Sequence, residues 1–284
     1  MSSRRPVQIL IKPWFHDHCF NGKGILPAVE IMEVLASAVQ AIRPASHPWE
    51  MSKASFSKFL EIPAGATELS ALVEYEERDK DEICSRLLSR IRLKKITRIK
   101  EHAQIIFSTH FPEATNTGTT DLFEAIETSC SVAAERIYRE LVPFGPAYHT
   151  LTGPLHLSVQ GAWGRLQAPL LREEEQEAKT LGSPFPLDGA MHAACVFGQW
   201  VADFVPFPVG FSRRTIHTPT QAGEQYLTKV VLVSQSREEL IFDLSIFDRA
   251  GTPCETVQGL RMRDVSGGKI TPPDWLRSNR FAKS

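Results

Sequence analysis

Two stretches of this chain are apolar on almost every side of a helix, and that limits the available folds more than any other feature. The first follows Gly24-Ile25-Leu26-Pro27 and runs from Ala28 to Ile42. Val29, Met32, Leu35, Val39 and Ile42 recur at three- and four-residue spacing, and Ile31, Val34, Ala36 and Ala38 fill most of the remainder. Glu30, Glu33 and Gln40 are its only strongly polar positions, while Pro27 suits a first turn and Pro44 ends the pattern. The second stretch begins at Pro186-Leu187-Asp188 and runs to about Phe204, where Pro206 stops it. A helix with so little polar face cannot lie on a surface, so other structure must wrap it.

The wrapping material follows each helix. Strand-like runs cover 54–62, 68–75, 83–93 and 102–110 after the first, and 209–217, 224–233, 240–247 and 255–262 after the second. Residue identity does not repeat between the halves, but the order of elements does: an incoming strand, an apolar helix, then about four strands. A helix swaddled by a bent antiparallel sheet is the hot-dog plan, and two copies predict an α+β double hot-dog fold. The polar, turn-rich segment 112–120 (PEATNTGTT) reads as a linker between halves at 1–111 and 121–284.

Composition narrows the function classes. The 284 residues carry a formal net charge of −1, which argues against a nucleic-acid surface and its excess of Lys and Arg. No apolar run approaches the ~20 residues of a membrane span. The start has Arg4 and Arg5 but only a short apolar run, broken by Lys12 and Pro13, and makes a poor signal peptide. The five cysteines (Cys19, Cys84, Cys130, Cys195, Cys254) are scattered and form no CxxC, so a reducing cytoplasmic setting is expected.

Residues able to do chemistry cluster ahead of each helix. His16-Asp17-His18 leads into Gly22, Gly24 and Pro27, a loop whose glycines would let backbone N–H groups approach a ligand beside a helix N-terminus. His18 is then either a structural loop histidine or a base next to a polarised carbonyl. A metal reading of His16-Asp17-His18 lacks a second cluster of ligands. Asp188 and His192 stand four apart and share a helix face, as a cap with a core histidine or as two arms of one site. Arg213 and Arg214 suit either a phosphate or a solvated strand edge, and 172–179 (REEEQEAK) reads as a solvated charge run.

Taken together, the fragments resemble the dehydratase domains of polyketide synthases and polyunsaturated fatty-acid synthases. His18, Gly22 and Pro27 match the family's HxxxGxxxxP pattern, and Asp188 and His192 match Dxxx(Q/H). Phe144-Gly145-Pro146-Ala147-Tyr148 is similar to GYGPxF, and Pro208-Val209-Gly210-Phe211-Ser212 is loosely similar to LPFSW. Two departures stand out: Phe144 replaces the family's tyrosine and removes a hydroxyl, and Pro143 replaces a glycine.

The resemblance implies a double hot dog that removes water from a 3-hydroxyacyl thioester, giving the 2,3-enoyl thioester. It implies His18 as base and Asp188 as proton donor, with desolvation by substrate keeping that carboxyl protonated. Gly22 and Gly24 would polarise the carbonyl through backbone N–H groups. Pro27, His192, Phe144, Tyr148 and Phe211 would position substrate, Tyr148 being the candidate to supply the missing hydroxyl. It also implies no cofactor. The substrate would ride on the phosphopantetheine of an acyl carrier protein, with other synthase components as partners and a homodimer compatible with the fold. Rival readings are a hot-dog thioesterase, a product-template cyclase, and a degenerate dehydratase serving as a carrier-binding scaffold.

Overall fold

The computed structural model describes residues 2–93, 96–110, 128–171 and 179–278. The expected linker at 112–120 and the half boundaries at 111 and 121 lie outside the described residues, as do 172–178 of the charge run. Along the first half run β1 (Ser2–Leu10), β2 (Cys19–Phe20), β3 (Lys23–Ile25), helix α1 (Ala28–Ile42), β4 (Glu50–Phe56), β5 (Glu61–Ile62), β6 (Glu68–Glu77), β7 (Glu82–Leu93) and β8 (Ile96–Ser108). The second half holds β9 (Cys130–Ala133), a short helix α2 (Ala134–Arg136) that continues as a wider turn over Ile137–Leu141, β10 (Leu151–Ser158) and β11 (Gly161–Gln167). Then come helix α3 (Phe185–Val201), β12 (Phe207–Ile216), β13 (Gln225–Gln235), β14 (Glu239–Phe247), β15 (Pro253–Arg263) and α4 (Asp274–Ser278).

Twelve strands form one antiparallel sheet in the order β1-β6-β7-β8-β4-β12-β15-β14-β13-β11-β10-β9. The halves meet where β4 pairs with β12, in a register that sets Ala54 opposite Phe211 and Met51 opposite Arg214. Each half-sheet wraps one helix. α1 buries Val29, Ile31, Met32, Leu35, Ala36 and Val39, and α3 is buried along nearly its whole length. That is the outcome the all-round apolar pattern demands. α3 stops at Val201 rather than near Phe204, because Ala202 turns extended and Pro206 folds back against Gly198.

The polar positions of α1 are used inside the molecule. Lys179 Nζ lies 2.8 and 2.9 Å from the two Glu30 carboxylate oxygens. Glu33 accepts the N–H groups of Thr180 and Leu181 at 2.8 and 3.0 Å, and Gln40 accepts the Thr180 hydroxyl at 3.1 Å. These contacts fasten α1 to the segment that leads into α3. Lys179 is therefore no solvated end of a charge run.

Both sequence readings of Arg214 also fail. β12 is an interior strand, and Arg214, 3% exposed, sends Nε and Nη2 to one oxygen of the fully buried Glu255 at 3.0 and 2.7 Å. Arg213 pairs instead with Glu50 at 2.7 Å. Three strands, β9 to β11, precede α3 where the sequence suggested one. Gly153, Pro154, Gly161 and Gly164 are poor strand formers, and a register shift between Thr152 and His156 blurs the alternation of that region.

Removing one partner of a buried ion pair strands the other charge. Arg214→Met is expected to lower unfolding free energy by about 3–5 kcal/mol in urea titration. Arg214→Met combined with Glu255→Leu should recover most of the loss. Equal loss in single and double variants would show that packing, rather than the orphaned carboxylate, sets the cost.

Candidate active site

His18 is held by a short hairpin. β2 and β3 are joined by Asn21 and Gly22 at φ 51° and 74°, the two positive values that a two-residue type I′ turn requires. Gly22 is exposed, and a Cβ there would touch nothing, so conformation and not space selects glycine. Across the base of the hairpin, Ile25 N–H donates to the His18 carbonyl at 2.9 Å. His18 Nδ1 lies 3.1 Å from the Ile25 carbonyl oxygen. A carbonyl only accepts, so Nδ1 carries the hydrogen and Nε2 presents its lone pair.

Asp17, half of the metal reading, has another task. Its carbonyl accepts Gly145 N–H at 2.7 Å, and its Oδ2 accepts Ala147 N–H at 2.8 Å. A Cβ at Gly145 would run into the Asp17 carboxyl, which explains the glycine. This clamp bolts the Phe144–Tyr148 segment of the second half to the His18 loop of the first. Phe144 consequently stacks on the His18 ring at 4.2 Å, 26° from parallel. Among the described residues no three His, Cys, Asp or Glu side chains are placed to hold a metal.

Asp188, 5% exposed, sits in the first turn of α3, and Met191, His192 and Cys195 follow on the same face. His192 Nε2 lies 2.9 Å from Asp188 Oδ2, off the line of a good hydrogen bond. His192 Nδ1 faces the Tyr138 hydroxyl at 3.4 Å. That hydroxyl already accepts Leu151 N–H at 2.7 Å, leaving its hydrogen free for Nδ1. The network thus assigns the His192 hydrogen to Nε2, facing Asp188.

One cavity of about 340 Å³ receives these groups. His18, Leu26, Ala28, Ile31 and Phe56 line it from the first half, and Leu141, Phe144, Asp188, Met191, His192 and Cys195 from the second. The exposed wall residues Asn21, Ser57, Lys58, Phe59 and Val265 mark its mouth. His102 also lines it, but its nitrogens are engaged by Ser89 and by the Lys58 and Phe59 carbonyls. Of the residues the sequence singled out, His18, Phe144, Asp188 and His192 meet in this cavity. Gly22, Gly24, Pro27, Tyr148 and Phe211 do not line it. Gly24 lies between β2 and β5, Pro27 caps α1, and Phe211 packs edge-on to Phe56 from behind the wall. The Tyr148 hydroxyl is buried with no hydrogen-bond partner among the described residues and does not line the cavity, so it does not replace the one lost at Phe144. Tyr138 had no motif to announce it.

Burial shapes the titration of the site. It holds the His18 imidazole below its ordinary pKa, with the Asp188 charge pulling the other way. Burial pushes the Asp188 carboxyl up, but the His192 and His18 imidazoles outweigh it and the net displacement is downward. With these charges beside it Asp188 favours the carboxylate, and the protonated acid expected from the sequence is a property of the substrate-filled site. Burial pushes the Cys195 thiol up to about 12, which makes it an inert wall residue.

Comparison with known proteins identifies the lineage. The family profile described as "Polyketide synthase dehydratase N-terminal domain" matches residues 127–271, half of the chain. Over 266 residues the chain is 23% identical to polyketide synthase ThaG of Burkholderia thailandensis, covering 89% of this chain but only 4% of that protein. Among solved structures, a monomeric dehydratase domain from a trans-AT polyketide synthase split module superposes with TM-score 0.74 at 14% identity, covering 93% of this chain and 99% of that one. The dehydratase domain from the CurF module of curacin polyketide synthase gives 0.72 at 18% identity, with 92% of both chains covered. A trans-AT dehydratase domain from Brevibacillus brevis gives 0.70 at 17%, covering 92% and 93%. These likenesses show the double hot-dog fold. With the family profile, they make the chain a member of the polyketide synthase dehydratase domains, a family of hydro-lyases.

Proposed function

We propose that the cavity takes a 3-hydroxyacyl thioester delivered on the phosphopantetheine of an acyl carrier protein, and removes water across C2 and C3. The observation that carries this reading is the convergence of His18 and Asp188, from opposite halves, on one cavity whose other walls are mostly apolar. His18 Nε2, with its lone pair free, takes the C2 proton. The C–H electrons form the double bond as the C3–O bond breaks, and Asp188 gives its proton to the departing oxygen, which leaves as water. Proton transfer from the His18 imidazolium to Asp188 resets the pair. The reaction is redox-neutral, so the reading calls for no cofactor.

Polarising the thioester carbonyl falls to the start of α1, because Ala28 lines the cavity and Gly22 and Gly24 do not. The first N–H groups of a helix have no partner within it, and that end carries partial positive charge. Tyr138 acts as a positioning residue: its hydroxyl fixes the His192 tautomer that supports Asp188. The acid role of Asp188 requires one proton shared between His18 and Asp188. The productive isomer has neutral imidazole and protonated carboxyl. Filling the cavity with an acyl chain expels water and adds to the burial that already pushes the carboxyl up.

Incubation with a 3-hydroxyacyl pantetheine thioester should yield the 2,3-enoyl thioester. Free acid would instead mean a thioesterase, and binding without turnover a scaffold. His18→Ala is expected to lower kcat by about 10²–10⁴-fold with the fold intact. The pH profile tests the acid. With both pKa values displaced downward, kcat/KM should rise as pH passes the carboxyl step, below 3.8, and fall as His18 loses its proton, below 6.5. The alkaline limb of kcat should lie at higher pH than that of kcat/KM. Activity that climbs through the His18 step and stays high would remove Asp188 as the acid. Tyr138→Phe should lower kcat about tenfold, the worth of one hydrogen bond, and displace the pH profile. Loss of activity with an unmoved profile would make Tyr138 merely structural.

A further inference from the structure

Net charge is near balance over the whole chain, yet residues 90–100 contain six Lys and Arg and no acidic residue. Of these, residues 90–93 and 96–100 belong to an arm of the sheet. β6 pairs with β7 only as far as Leu88, and β4 with β8 only as far as Ala103. Beyond those points β7 and β8 pair with each other alone. Their register sets Ser89 opposite Lys100 and Ile91 opposite Arg98, and paired residues share a face.

That face is continuous with the cavity mouth. Ser89 Oγ contacts His102 Nε2 at 2.8 Å, and His102 lines the cavity. Lys58, at the rim, sends its carbonyl to His102 Nδ1 at 3.1 Å. Burial above all holds the His102 imidazole below its ordinary pKa, and the Lys100 and Lys58 charges add to that effect. From His102 the arm runs roughly 20 Å outward to Ile96. Ile91 and Ile96 are 37% and 60% exposed, and Lys58, Lys100 and Arg98 form no ion pair with a described residue. Glu101 turns to the other side, toward Arg86 at 3.8 Å.

We infer that Lys58, Lys100 and Arg98, with Ile91 and Ile96 between and beyond them, form the docking surface for the acidic face of the acyl carrier protein. The inference rests on the reading that substrate arrives on such a carrier. Cations that no described carboxylate neutralises steer an acidic partner, and exposed isoleucines give it something apolar to bury. The strip opens at the mouth through which the carrier's arm must enter.

Affinity for a holo acyl carrier protein bearing a 3-hydroxybutyryl group, measured by fluorescence anisotropy, tests the surface without relying on turnover. Arg98→Glu with Lys100→Glu should weaken binding at least about tenfold, and added salt should weaken the wild type. Arg90→Glu, on the opposite face of the arm, should change affinity less than about threefold. In parallel, kcat/KM for the carrier-bound substrate should fall in the double variant while that for the free pantetheine thioester stays at wild-type level. Carrier affinity unchanged by the double reversal, no binding by the wild type, or tighter capture of duplex DNA or anionic vesicles by the same residues would overturn the inference. If the carrier binds as described but neither substrate is dehydrated, the docking surface stands and the catalytic reading falls.

Discussion

Antiparallel pairing of β4 with β12 is the joint on which the site depends. Each apolar helix needs a sheet around it, and two separate wrapped helices would leave His18 and Asp188 on different bodies. Fusing the half-sheets edge to edge brings the N-terminal ends of α1 and α3 to one cavity. The sheet gives the coarse alignment, and polar contacts between the halves give the fine one. The Asp17 clamp on Gly145 and Ala147 sets Phe144 against His18. Glu30 and Glu33 fasten α1 to the segment just ahead of α3. A site made from two halves holds its geometry only if such contacts hold theirs, because catalytic positioning tolerates little slack.

The apolar wall is as much a part of the chemistry as the titratable groups. It lowers the His18 pKa and keeps its imidazole available as a base. The same wall would protonate Asp188, but the two imidazoles hold the empty site in the opposite state. In the proposed mechanism the substrate's own bulk then completes the acid. Cys195, inside the same wall, is kept as a thiol by the same burial, so in the proposed reaction the electrophilic enoyl product meets no competing thiolate.

Much of the architecture was legible in the sequence because its cause is local. The spacing from Val29 to Ile42 and the Pro27 start give α1 its observed bounds, and the strands after each helix alternate plainly. What escaped depended on contacts between residues far apart in the chain. Arg214 reads as a surface cation until Glu255 is seen 2.7 Å away on the neighbouring strand β15. Strands β9 to β11 hide behind glycine and proline, whose turn character is overridden by sheet pairing. In the site, His18, Asp188, His192 and Phe144 were found through motif spacing. The glycines of the same motif proved to shape the hairpin rather than line the cavity. Tyr138 was invisible because its importance lies in a hydroxyl that reaches His192, 54 positions onward.

The central claim is that an imidazole from one half and a carboxylate from the other share a single low-dielectric space. Nitrogen-15 NMR titration of the His18 ring reads this directly. The account predicts an Nδ1-protonated neutral tautomer and a pKa below 6.5, and a further fall in Asp188→Asn, because the Asp188 charge is what pulls that pKa upward. A His18 titration that is unmoved by Asp188→Asn, or one at or above the ordinary value, would contradict it.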